Sequence, residues 1–305
     1  MPQPATPLTR TVGHYENFPV ASWLCPPAIR PAVMAIYHFA RTADDLADEG
    51  EATAEQRLDA LARYREALTA SLRSPDRPPA PDAWPHIFGP LAAQAQHHRL
   101  PQPLLQDLIS AFEQDVRHTA TGHRYATTEE LLDYCRLSAN PVGRLLLHLY
   151  GVQQPTALAQ SDAICSALQL INFWQDISVD YPRGRHYLPA DALARHGLSL
   201  EDFARPAGAT TTPACQSLVS ELCDQARALM LEGAPLARRV PGRAGWELRL
   251  VVQGGLRILD KIADGGHRSW LIRPSLGKAD LPLLLWRSVW GYGSRDGFNP
   301  RPPAG

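Results

Sequence analysis

Apolar residues recur along this chain at the three- and four-residue spacing of helices, and almost nowhere at the two-residue alternation of strands. Bounded by Pro and Gly, that periodicity predicts helices at roughly 31–49, 53–72, 84–98, 103–118, 128–150, 156–181, 212–232, 243–264 and 280–290. Pro31 suits a first helical turn, Thr53 and Thr128 suit N-caps, and Gly151 suits a stop. Pro141 falls inside the 128–150 pattern and predicts a kink that frees the carbonyl of Leu137. Stretches 74–81, with four prolines, 182–187 and 205–213 read as loops. The fold class is therefore all-α, with one helical domain over residues 14–290 around a central cavity and flexible ends at 1–13 and 291–305.

Two of these helices carry polar side chains next to strongly apolar runs. The segment 33–40 is apolar nearly all round, the mark of a buried helix, and it leads into Asp44 and Asp48. The segment 164–177, with Leu168, Leu170, Ile171, Phe173 and Trp174, carries Asn172 and Asp176 and leads to Asp180. Each polar set recurs every fourth residue, so its oxygens line one helix face a turn apart. Clustered carboxylates repel and are costly beside apolar surface unless something neutralises them. Either set alone could be a solvated acidic face; the apolar flanks and the presence of two sets favour metal ligation. Hard divalent cations such as Mg²⁺ take a few carboxylates together with water and substrate phosphate oxygens. Two such faces, more than a hundred residues apart, suggest helices meeting across a cavity with a metal-bound diphosphate between them.

Composition narrows the function classes. The 305 residues are 45% hydrophobic and 20% charged, which is ordinary for a globular protein. Lys plus Arg (30) nearly balances Asp plus Glu (31), so no basic excess points to nucleic acid. Cys25, Cys135, Cys165, Cys215 and Cys223 are scattered and odd in number, which suits buried thiols in a reducing cytoplasm. Met1 to Arg10 lacks a signal-peptide core. No run approaches the ~18 apolar residues of a membrane span. Residues 281–290 form the most apolar late segment, too short to span and interrupted by Arg287, and read as a packing or interfacial helix.

Tyr37-His38-Phe39-Ala40-Arg41-Thr42-Ala43-Asp44-Asp45 and Gln169-Leu170-Ile171-Asn172 through Asp180 resemble the two signatures of squalene and phytoene synthases. Between them, Arg124 to Thr127 and Glu130 to Cys135 resemble the family's central segment. The resemblance runs from about His14 to Arg268, and the two motifs in this order are highly specific. It implies the all-α isoprenoid synthase fold and head-to-head condensation of farnesyl or geranylgeranyl diphosphate with Mg²⁺. The opening, His14 to Ser22, is similar to the hydroxysqualene synthase branch of bacterial squalene and hopanoid biosynthesis. Several positions depart from the family pattern. Tyr15-Glu16-Asn17-Phe18 replaces Ser-Lys-Ser-Phe, and Ala139-Asn140-Pro141-Val142-Gly143 replaces Ala-Gly-x-Val-Gly. Arg136 stands where relatives often carry an aromatic or His, and Gly255 where a Tyr is frequent.

In the implied chemistry an allylic or cyclopropylcarbinyl diphosphate ionises, and metal ions and Arg stabilise the leaving diphosphate. Asp44, Asp48, Asn172, Asp176 and Asp180 are the expected metal ligands. Asn17, Phe18, Arg41, Gln169 and Arg185 are the expected substrate contacts. Tyr134, Arg136 and Asn140 are the expected catalytic residues: the polarity around Arg136, Ser138, Asn140 and Pro141 suits a water fixed near the cation. Water capture would turn presqualene diphosphate into hydroxysqualene without NADPH, for which no Gly-rich fingerprint follows a strand. The alternatives are complete squalene or phytoene synthesis and, from another class, a non-catalytic helical assembly factor; all five candidate metal ligands argue against the latter. Expected partners are the prenyl diphosphate, handover to or from other squalene-pathway enzymes, and no nucleic acid. Peripheral contact with the inner face of the cytoplasmic membrane is also expected, with Trp286 and Trp290 suited to the interface.

Overall fold

In the computed structural model, which describes residues 25–75, 83–204 and 212–290, the helical periodicity is realised and the described residues contain no strand. The helices are α1 (Arg30–Asp48), α2 (Ala54–Arg73), α3 (Pro85–His98), α4 (Gln102–Thr121), α5 (Thr128–Ser138), α6 (Asn140–Leu149), α7 (Pro155–Asp180), α8 (Ala190–Arg195), α9 (Pro213–Gly233), α10 (Leu236–Arg239), α11 (Gly242–Asp264) and α12 (Leu281–Trp290). Thr53 caps α2 and closes a reciprocal box with Gln56. The cap of α5 is Thr127, one residue before the predicted Thr128, and its hydroxyl accepts from the Glu130 amide at 3.3 Å. Gly151, at φ 71°, turns the chain after α6.

The 128–150 segment is two helices, not one kinked helix. Pro141 has no N–H to give the Leu137 carbonyl, so α5 stops at Ser138 and Ala139 adopts φ −115°, ψ −48°. Pro141 then occupies the first turn of α6, where its missing donor costs nothing. The four- and six-residue helices α10 and α8 are too short for periodicity to reveal.

Two cores form. Helices α1 to α4 bury Phe39, Tyr64 and Phe88, and the Tyr64 hydroxyl donates to the Phe39 carbonyl at 3.0 Å. Helices α5, α7, α9 and α11 bury Leu131, Trp174, Leu218, Met230 and Leu259. Each such side chain contributes roughly 1.5–3 kcal/mol relative to exposure. Helix α7, 26 residues long and about 39 Å at the helical rise, packs against α5, α6, α9 and α11 and runs beside the candidate site. A Cβ on Gly143 would lie 2.4 Å from Ser161 Oγ and 2.6 Å from Cys165 Sγ, so only glycine lets α6 approach α7 this closely. All five cysteines are free. No helix among the described residues is long and apolar enough to cross a membrane.

Candidate functional site

The acidic ends of α1 and α7 face a common cleft. On α1, Arg41 reaches Asp44 at 2.8 Å, Asp45 at 2.5 Å and Glu49 at 2.6 Å, all on its own helix face or just beyond it. Asp48, one turn past Asp44, pairs with Arg185 from the loop that follows α7. On α7, Asp176 takes Arg273 at 2.5 and 3.3 Å. The segment carrying Arg273 is pinned over the end of α7 because Gln175 donates to the Pro274 carbonyl at 2.7 Å.

The cleft holds about 260 Å³ between α1, α4, α5 and α7, and its wall includes Asp44, Asp115, Tyr134, Gln169, Asn172, Asp180 and Arg185. Burial raises the Asp44 carboxyl, with Arg41 opposing. Burial, reinforced by Asp176, pushes Asp180 up to about 7. Asp115 is also pushed up to about 7 by burial, although the Tyr134 hydroxyl donates to it at 2.9 Å and works the other way. Phe173 and Tyr187 stack at 3.7 Å between ring centroids and make one wall aromatic.

A second space of about 110 Å³ is apolar, with Val142, Gly143 and Leu146 of α6 facing Ile164, Cys165 and Leu168 of α7. One stripe of α7 thus passes from Cys165 and Leu168 in the apolar space to Gln169, Asn172 and Asp180 in the cleft. The donor set suits a hard cation, since every opposed ligand is oxygen. Among the described residues no three His, Cys, Asp or Glu side chains are gathered to enclose an ion by themselves. Arg41, Arg185 and Arg273, now on carboxylates, have the planar fork that also grips phosphate.

Of the residues singled out from sequence, Asp44, Tyr134, Gln169, Asn172, Asp180 and Arg185 line the cleft. Asp48 reaches it through Arg185 and Arg41 sits on Asp44, while Asp176 pairs with Arg273 outside the lining. Arg136 does not join them: α5 turns Tyr134 and Ser138 inward, four residues apart, which leaves Arg136 70% exposed and paired with Asp133. Asn140 is buried between α6 and α7, where its carbonyl oxygen accepts from Ser166 Oγ at 2.9 Å. The break at Ala139 changes the helical phase and carries Asn140 away from the cleft wall. Asn17 and Phe18 lie outside the described residues. Sequence reasoning missed Asp115, Tyr187 and Arg273. Only Asp115 left a signal, as an acid in step with Leu108, Ala111 and Phe112 on the inward stripe of α4.

A family model for squalene/phytoene synthases matches residues 11–284. The chain is 35% identical to a hydroxysqualene synthase of Rhodopseudomonas palustris over 240 residues, covering 77% of this chain and 75% of the relative. It is 32% identical to a hydroxysqualene synthase of Sinorhizobium fredii over 278 residues, covering 88% and 86%. The crystal structure of squalene synthase HpnC from Alicyclobacillus acidocaldarius superposes with a TM-score of 0.71 at 36% identity, over 83% of this chain and 90% of that one.

Proposed function

The chain belongs to the squalene/phytoene synthase family, and from that premise we propose that it converts presqualene diphosphate to hydroxysqualene by ionisation, rearrangement and capture of the cation by water. The observation that carries the proposal is the change of character along α7. An apolar space and an acidic, arginine-bearing cleft lie at successive levels of one α7 stripe, the order of polarity that a ligand with an apolar tail and a diphosphate head requires. The relatives named hydroxysqualene synthase support this product within the family.

Asp44, Asp48, Asn172, Asp176 and Asp180 would hold Mg²⁺, which when bound would supply charge to neutralise the departing diphosphate. Arg41, Arg185 and Arg273 exchange carboxylate oxygens for phosphate oxygens as the head group enters, which orients the scissile C–O bond and stabilises the charge it releases. Phe173, Tyr187 and Tyr134 offer aromatic faces that favour a cation without attacking it. Tyr134, Ser138, Gln169 and Asp115 supply the polar partners an ordered water needs, in place of Arg136 and Asn140. Attack of that water forms the new C–O bond, and its proton passes to the Asp115 carboxylate. The route uses no hydride and no NADPH.

The test is incubation with presqualene diphosphate and Mg²⁺ in oxygen-18 water without reductant. A C30 alcohol carrying one heavy oxygen is expected. An unlabelled alcohol, or squalene formed only on adding NADPH, refutes the proposal.

A further inference from the structure

Beside the aromatic wall of the cleft lies a third, much smaller space. It holds about 10 Å³, near the lower limit for a single water, and its lining includes Trp174, Ile177, Asp180, Tyr181 and His186. Trp174, Ile177 and Tyr181 succeed one another at three- and four-residue spacing, so the pocket follows the stripe of α7 next to the one that carries Asn172 and Phe173 into the cleft. Part of its wall is the strap that follows α7. That strap is tied by the Arg185 amide to the Asp180 carbonyl at 3.1 Å and by the Ala190 amide to the Tyr125 carbonyl at 2.9 Å. Between the ties, Arg185 and Tyr187 line the cleft, whereas His186 lines the small pocket and not the cleft.

Two polar groups of this lining lack a partner. Trp174 is 1% exposed, and its indole N–H finds no hydrogen-bond acceptor among the described residues. The buried Nδ1 of His186 finds no partner among them either. A buried polar group left unpaired is costly, and a buried Trp N–H usually meets an acceptor. Burial, reinforced by Arg124 and opposed by Glu201, lowers His186 below the usual imidazole range, so the ring is neutral at pH 7 and one of its nitrogens accepts. A donor and an acceptor bordering a space of this size ask for one small molecule that can do both. Water does, whereas a cation would meet the indole N–H and an anion the lone pair of Nδ1. We propose that the pocket binds a single water molecule, accepting from Trp174 Nε1 and donating to His186 Nδ1, and that His186 is thereby a positioning residue for Arg185 and Tyr187. The water pegs the middle of the strap to the stem of α7. The side chains on either side of His186 are then held toward the cleft, where Arg185 pairs with Asp48 and Tyr187 stacks on Phe173 at 3.7 Å. The effect on turnover rests on the reaction proposed above; the water site does not.

The test is a crystal structure of the full-length chain in which bound water is visible, with His186→Leu and His186→Asn beside it. One water within hydrogen-bond distance of both Trp174 Nε1 and His186 Nδ1 is expected. His186→Leu removes the acceptor; it should lose the water, displace the Arg185–Asp48 pair and the Tyr187–Phe173 stack, and lower kcat on presqualene diphosphate by about tenfold with KM changed by less than about threefold. His186→Asn sets an amide oxygen near the place of Nδ1 and should keep the water, both contacts and most of the turnover. Circular dichroism and the melting midpoint check that each variant folds; a merely structural role would lower both midpoints without that recovery of kcat. A wild-type pocket without the water, a water that His186→Leu retains, contacts unmoved in that variant, or equal losses of kcat in the two variants overturns the proposal. The crystals are read without substrate, so a wild type that holds the water but makes no labelled alcohol in the oxygen-18 assay refutes the reaction and not the site.

Discussion

Asp115→Asn is expected to flatten the pH dependence of stability. The substitution keeps side-chain volume, and the asparagine carbonyl oxygen still accepts the Tyr134 hydroxyl. In the folded protein Asp115 titrates at about 7, against about 3.9 in the unfolded chain. Its protonated form therefore contributes stability that is fully present below the unfolded pKa and is lost as pH rises through about 7. From pH 5 to pH 8 that linkage amounts to about 3 kcal/mol at full strength. Asp115 faces a cleft that water enters, so roughly 1 kcal/mol is the working figure. The assay is urea unfolding of both proteins at the two pH values in the presence of chelator, so that no metal competes for the proton. Asp180, which also titrates at about 7, is present in both and cancels. The wild type should lose roughly 1 kcal/mol more unfolding free energy than the variant between pH 5 and 8. Equal pH dependence in the two proteins would refute the reasoning.

Asp48→Asn and Asp176→Asn should each lower turnover by about two to three orders of magnitude, or about 3–4 kcal/mol in the barrier, with the melting profile retained. Steady-state kinetics with and without EDTA check this, and full activity in EDTA would exclude metal dependence. Gly143→Ala should destabilise by about 1–3 kcal/mol, because the new Cβ meets Ser161 Oγ and Cys165 Sγ well inside contact distance; an unchanged urea midpoint would show that α6 and α7 separate freely.

Local repetition is what made much of the site legible. Asp44 and Asp48, and Asn172, Asp176 and Asp180, announce a shared face because a helix repeats every four residues, and the structure sets both ends at one cleft. The nine predicted helices were readable for the same reason, apart from the segment around Pro141. The polarity around Pro141 pointed to Arg136 and Asn140 beside the cation, whereas the phase of α5 turns Arg136 to solvent and α6 buries Asn140 against Ser166 of α7. Arg273 pairs with Asp176 across 97 residues, and long-range pairing leaves no local periodicity. Tyr187 lies in a loop and owes its place to stacking on Phe173, again a tertiary fact.

The interruption at Ala139 gives the cavity two independently variable parts. Tyr134 and Ser138 belong to a helix that ends before the break, while Val142, Gly143 and Leu146 belong to one that starts after it. A substitution on α6 can deepen or shorten the apolar space without rotating the groups beside Asp115. Under the proposed reaction, tail length and the fate of the cation would answer to different helices, joined along α7.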